Sequence, residues 1–461
     1  MYKYIKIVFF SSILLLGSCS IFNEYERPAV KTEGYRINDS TATEQNSTDT
    51  NNFGNLPWRS LFTDNVLQSL IDEALKNNID LQTAALSVQQ AEAQLSSAQL
   101  SFLPSFMFAP SGTLSSWDGG KVRATYSLPI QASWNVDLFG SLINGKRAAQ
   151  VVLLQSKDYQ IAVQTNLIAN IANAYYTLLM LDKQLALTRE TADLTKHTWD
   201  MMTAQKDYGN GTEASVLSAK ANYYAVLASI PELQRQITVT ENVLSLLLGK
   251  SATSIERNTL DEQNLPTEFA LGVPVQLLAN RPDVHAAEMN LAYCFYQTNV
   301  ARAAFYPVLN ITASAAWTNN SGAGIVDPAK ILATAVGSLL QPIFQNGKLV
   351  SALKVAKAEQ EKAALNWQFT VLNAGAEVSN ALALYKASVE KSQHEAIRIE
   401  SLKSNVSIAQ DLFNMQPSST YLEVVTAQQL LLSAQLNKIS DDFNKMQAVV
   451  NLYYALGGGR Y

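Results

Sequence analysis

The chain is written twice. Asn77-Asn78-Ile79-Asp80 and the later Phe102-Leu103-Pro104 return as Asn280-Arg281-Pro282-Asp283 and Phe305-Tyr306-Pro307, with 24 residues from Asp to Pro in each copy. Phe139 answers Phe344 at an offset of 205, while Ala219-Lys220 against Ala427-Gln428 and Leu248-Gly249 against Leu456-Gly457 both stand at 208. An offset that drifts while order is kept means two copies of one long unit, far longer than a solenoid repeat. The spacing therefore predicts a pseudo-twofold domain, with copies over 57–265 and 266–461.

Within each copy the order reads helix, strand pair, very long helix, tip, returning helix. Residues 64–103 carry apolar side chains at helical spacing and stop at Pro104. From Ser141 to Tyr208 there is no proline, a stretch of roughly 100 Å if helical throughout. Along it Ala174, Leu178, Leu181, Leu185, Thr188, Ala192, Thr195, Trp199 and Met202 alternate spacings of 4 and 3, the seam of a coiled coil. A globular bundle kinked near Gly145 is the alternative. The second long helix is expected from Lys348 to Met415, with a break at Pro417. Both returns end in glycine, at Leu248-Gly249 and Leu456-Gly457-Gly458-Gly459, and Pro231 should split or kink the first return.

The strands carry a different signal. From Val122 to Asp137 every even residue is apolar and the odd ones are Arg, Thr, Ser, Pro, Gln, Ser, Asn and Asp. Leu309, Ile311, Ala313, Ala315 and Trp317 continue the pattern, and Phe106 and Phe108 open a partner strand. Turns are expected at Trp117-Asp118-Gly119-Gly120 and Asn319-Asn320-Ser321-Gly322. One oily and one wet face fit a transmembrane barrel, although a half-buried soluble sheet gives the same alternation. Four strands cannot close a barrel, and unpaired edges in lipid cost several kcal/mol per group. The missing strands must come from further copies: two chains supply eight, and three supply the twelve that a conducting pore prefers.

Composition narrows the function. Only 16% of residues are charged and the net charge is −5, so no basic stripe is available for nucleic acid. The three histidines, His197, His285 and His394, are too dispersed to form a cluster. Lys3 and Lys6 precede a short apolar run, Ile7 to Leu16, that is closed by Leu16-Gly17-Ser18-Cys19. Residues 1–18 read as a secretory signal. The segment resembles a bacterial lipoprotein signal, which makes Cys19 the acylated N-terminus; an ordinary signal with an incidental cysteine is the alternative. Residues 19–56, rich in Ser, Thr, Asn, Asp and Glu, read as a tether. Cys294 would then have no disulfide partner.

Together Trp58-Arg59-Ser60-Leu61-Phe62, Ser133 to Gly140, Asn242 to Gly249, Leu278 to Val284, Ala301 to Pro307 and Leu456 to Gly459 resemble the TolC-type outer-membrane efflux factors, in the lipoprotein branch serving resistance-nodulation-division pumps. The resemblance implies a mainly α fold with a small membrane β-barrel: a homotrimer with four strands per chain in a twelve-stranded barrel, and long helices forming a periplasmic α-barrel. It also implies a passive exit duct in the outer membrane, docked on a periplasmic adaptor and an inner-membrane pump. Matched to that family, Tyr421 to Ala427 places the aliphatic plug of the pore gate on Leu422 and the first acidic position on Glu423. The second acidic position falls on Thr426, a departure, and Pro417 stands where the second tip usually has glycine. The adaptor-contact tips are then Tyr208 and Gly209 in one copy, Met415 and Pro417 in the other.

No residue set nominates an enzyme, a metal or a cofactor other than the covalent lipid. Arg281 and Asp283 beside Pro282 read as a helix start with an ion pair rather than acid–base machinery. The competing class is a non-conducting lipoprotein spacing the two membranes.

Overall fold

The computed structural model describes residues 22, 24–28, 53–116, 118–266, 281–318, 331–415 and 421–460. Cys19, Pro417, Trp117 and the Asn319–Gly322 turn lie outside them. The chain is mostly helical, and its elements repeat. After a one-turn helix at Trp58–Leu61, the first copy gives α1 (Asn65–Asn77), α2 (Ile79–Leu100), β1 (Ser105–Phe108), β2 (Ser111–Ser115), β3 (Arg123–Val136), α3 (Ser141–Asp207) and α4 (Glu213–Leu247). The second gives α5 (Pro282–Ala303), β4 (Val308–Thr318), β5 (Ile331–Leu340), α6 (Lys348–Met415) and α7 (Tyr421–Ala455). The duplication is visible in lengths: α2 and α5 have 22 residues each, α3 and α6 have 67 and 68, and α4 and α7 have 35 each.

Compact units do not follow the copies. One unit takes residues 86–158 and 285–369 with the N-terminal 1–30, and the other takes 31–85, 159–284 and 370–461. Each is thus assembled from corresponding stretches of both copies.

In the first unit the strands form one antiparallel meander in which β3 pairs with β1 and β2 on one side and β4 on the other, and β5 follows β4. Register explains the alternation. Trp134 stands opposite Ile311, which stands opposite Gly337; Ile130, Ala315 and Ala333 make a second row; Leu128, Trp317 and Ile331 a third. The facing rows hold Ser133 with Thr312, Gln131 with Ser314 and Thr334, and Asn135 with Asn310 and Ser338. One face is therefore apolar across every strand, and a one-residue slip would invert it. The first strand is broken between Phe108 and Ser111, opposite Pro129, because neither Pro110 nor Pro129 has an N–H for the ladder. Asp118 and Gly119 have φ of 49° and 68°, the left-handed pair expected of a tight turn there.

The expected helix over 64–103 is two helices. Asn78 ends α1 through its backbone N–H to Ala74, and its side-chain oxygen then accepts from the Leu81 N–H at 3.0 Å to start α2. The apolar periodicity ran through this break and concealed it. Pro231 does not split α4, which is one helix; the proline sits on an exposed face, where water can satisfy the carbonyl that the missing N–H leaves free. Nor does Gly145 interrupt α3.

In the second unit the predicted seam of α3 is buried at Leu178, Leu181, Leu185, Thr188, Ala192, Thr195 and Met202. Both returning helices close alike: Lys250 N–H bonds to the Ser245 carbonyl and Gly458 N–H to Tyr453, with Gly249 and Gly457 at φ of 70° and 76°. Each end is then held by the residue just before α2 or α5. Asn78 Nδ2 donates to the Leu247 carbonyl at 2.9 Å, and Arg281 Nη1 donates to the Ala455 carbonyl at 3.0 Å. These residues occupy matching repeat positions, so the repeat is conserved as a contact as well as a pattern.

Candidate functional site

The predicted gate lies at the start of α7, where helical geometry divides the residues into two faces. Tyr421, Val424 and Val425 turn inward and join Met202 of α3, Val216 and Ala219 of α4, and Ala409 and Phe413 of α6 in one buried cluster, with Trp199 packed against it; Ala427 is buried as well. Burial pushes the Tyr421 phenol up to about 12, and its ring meets Phe413 edge-on at 6.4 Å. Two side-chain amides tie α7 to the first copy's hairpin: Gln428 Nε2 donates to Thr198 Oγ1 at 3.2 Å, and Gln429 Nε2 to Asn222 Oδ1 at 2.8 Å.

The other face is open. Leu422 is 67% exposed, and Glu423 and Thr426 are exposed beside it. All three line a groove of about 360 Å³ whose opposite wall is Asn405, Ile408, Ala409 and Leu412 of α6, closed at one end by Leu430. The structure thus brings the three predicted gate residues together and adds Ile408, Leu412 and Leu430, which the sequence reading did not single out. The signal was present: Asn405, Ile408, Leu412 and Met415 follow spacings of 3, 4 and 3, a coiled-coil stripe. Ile408, Leu412 and Met415 are nonetheless exposed in the single chain. Among the described residues nothing covers this stripe.

The tips are built by capping. At the end of α3 Gly209 has φ of 79°; its N–H bonds to the Lys206 carbonyl and Asn210 N–H to Gln205, both at 2.9 Å. A Cβ there would be strained by the backbone although it would meet nothing. Thr212 Oγ1 then accepts from the Ser215 N–H at 3.2 Å and starts α4. Tyr208 is 84% exposed and Met415 80%. Pro417 is outside the described residues.

Arg281 and Asp283 do form the expected ion pair, at 2.7 Å. Arg281 is 3% exposed, pairs also with Glu377 at 2.8 Å and lies 5.8 Å from the Tyr454 ring. Burial alone would lower the guanidinium's pKa; Asp283 and Glu377 hold it above its ordinary value. Among the described residues no three His, Cys, Asp or Glu side chains converge as a metal group, and no helix is long and apolar enough to cross a membrane. The apolar sheet face is a different kind of membrane surface.

Comparison with known proteins agrees with this geometry. The profile of the outer membrane efflux protein family matches residues 70–250 and 273–458. The cation efflux system protein CusC of Escherichia coli K12 is 27% identical over 98% of this chain and 99% of its own. The toluene efflux pump outer membrane protein TtgC of Pseudomonas putida is 28% identical over 97% and 94%. The crystal structure of CusC superimposes with a TM-score of 0.84 at 26% identity, covering 95% of this chain and all of that one. The open-state MtrE outer membrane channel of Neisseria gonorrhoeae gives 0.83 at 25%, over 96% and 98%. Two family matches in tandem, covering both copies of the repeat, place this chain in the outer membrane efflux protein family, as an outer-membrane exit duct of a tripartite efflux system.

Proposed function

We propose that three copies of this chain close a twelve-stranded barrel and a helical duct, and that the duct is gated by rings of Leu422 and Glu423. The observation that carries the reading is the exposed stripe Ile408, Leu412 and Met415 beside Leu422 and Glu423, unpartnered within one chain. The sheet supports it independently. β1, β2 and β5 each pair on one side only, and edges in lipid must be paired. Two copies would give eight strands and an interior filled by side chains, whereas three give room for a pore. A periplasmic adaptor gripping Tyr208, Gly209, Met415 and Pro417 would link the duct to an inner-membrane pump. It opens the gate only by binding the open state more tightly. The duct itself performs no chemistry and needs no cofactor; Cys19 carries the lipid of a mature chain whose tether spans 19–56 and whose copies span 57–265 and 266–461. Relatives named for cations and for toluene share the architecture, consistent with selection of cargo by the pump.

The test is single-channel conductance of the purified oligomer in a planar bilayer. The wild type should pass little current, and Leu422→Ala with Glu423→Ala should raise it severalfold. Glu423→Gln alone should weaken cation preference, most clearly at low salt, where carboxylate charges are least screened. Because Thr426 replaces a second acidic position, block by multivalent cations should be modest. A gate-mutated oligomer that passes no current would favour the membrane spacer instead. Unchanged conductance and selectivity in both variants would place the constriction elsewhere.

A further inference from the structure

At the end of β3 the apolar sheet face runs into a groove. Trp134 and Val136 belong to the apolar face, and the groove continues through Leu138, Phe139, Gly140 and Ile143, with Phe102 beside Trp134, enclosing about 600 Å³. The Trp134 indole N–H donates to the Phe102 carbonyl at 2.9 Å, which leaves the ring itself as apolar wall. The rest of the lining is polar: Asn135, Asp137, whose carboxylate accepts from the Ile143 N–H at 2.8 Å, Asn144, whose amide donates to the Gly140 carbonyl at 2.6 Å, and, at the charged rim, Arg147, which pairs with Glu24 at 2.9 Å and lies 6.0 Å from the Tyr296 ring.

Phe22 sits in this groove at 8% exposure. It packs on Gly140, where a Cβ would stand in ordinary contact, 3.4 Å from the Phe22 ring. From Phe22 the chain follows α5 toward its N-terminus, with Tyr25 edge-on to Phe295 at 5.8 Å and Arg27 paired with Glu288 at 2.6 Å. The N-terminal segment is thereby fixed at three points, and its start is delivered to the end of the sheet. Cys19 is three residues before Phe22, a reach of at most about 11 Å.

We propose that this groove seats an acyl chain carried by Cys19. The inference rests on the lipoprotein reading of Cys19. The apolar walls supply the hydrocarbon contact, and the Glu24–Arg147 rim marks where the hydrocarbon ends. Leu138 and Ile143 are half-exposed in the protein as it stands, as walls awaiting an occupant would be. The seat gives the lipid a fixed place against the barrel instead of a free position in the bilayer.

Site-specific photo-cross-linking tests this on the full chain in outer membranes. The photoreactive residue p-benzoylphenylalanine is placed at Leu138 or Ile143, and, as a control, at Ile331 on the same apolar face but the far end of the sheet. Assembly of each variant is checked on a native gel, and both wall positions are exposed enough to accept the probe. After irradiation and proteolysis, mass spectrometry should find the acylated Cys19 peptide joined through its lipid to the Leu138 or Ile143 peptide, and not to the Ile331 peptide. Phe22→Ala should lose most of that product. Acylated Cys19 with only free phospholipid cross-linked at Leu138 and Ile143 would overturn the seat and leave the lipoprotein reading intact. An unmodified Cys19 would overturn both.

Discussion

Arg281→Ala is expected to destabilise the helical part of this protein by about 3 kcal/mol, the lower end of what breaking a buried ion pair costs. The lower end applies because Asp283 and Glu377 are each more than a third exposed, so water can take over part of their charge. What water cannot replace is the bond to the Ala455 carbonyl, which holds the C-terminal end of α7, or the packing on Tyr454. The matching substitution in the first copy, Asn78→Ala, removes the corresponding carbonyl contact together with the cap on Leu81, but no buried charge, and should cost roughly 1 to 2 kcal/mol. Urea unfolding followed by far-ultraviolet circular dichroism compares the two. Equal losses would mean that the ion pairs of Arg281 contribute no more than the helix cap that Asn78 supplies.

The second large effect is expected in the sheet. Leu128→Arg puts a charge in the apolar row with Trp317 and Ile331. In a transmembrane barrel this costs roughly 2 to 4 kcal/mol per chain near the midplane and less toward the interfaces, and a trimer carries it three times. The neighbouring Ser127 faces the other way, opposite Ser111 and Thr318, so Ser127→Asn should be tolerated. Oligomer recovered from outer membranes is the readout, with native mass spectrometry giving the copy number. Equal recovery of both variants would mean that the apolar row does not face lipid. A mass of two or four chains would revise the barrel's strand count.

These contrasts show which parts of the molecule could be read from its residues. The alternation in β3 was legible because its two faces meet different surroundings, one apolar and one polar, along its whole length. The seam of α3 was legible because its partners are in the same chain. Asn78 was not read as a break because Leu75, Leu81 and Ala85 keep the helical period across it; only its amide, capping one helix and starting the next, marks the boundary. The interruption at Ala109-Pro110 did carry a signal, the proline, but its effect depends on the register that sets Pro129 opposite. Pro231 misled in the other direction, since a breaker on an exposed face is tolerated. At the proposed gate, Leu422 and Glu423 were singled out through resemblance, whereas Ile408 and Leu412 were overlooked because an exposed stripe on a long helix looks like ordinary helix surface.

The joining of β3 to β4 has a consequence for how this chain can be made. β3 ends at Val136 and its partner β4 begins only at Val308, so the first half leaves the translocation machinery with a finished hairpin whose β3 edge is still open. Contacts this distant in sequence form late, and an open strand edge invites pairing with the wrong chain. The vulnerable species is therefore the half-emerged polypeptide, before its second copy has arrived to cover the first.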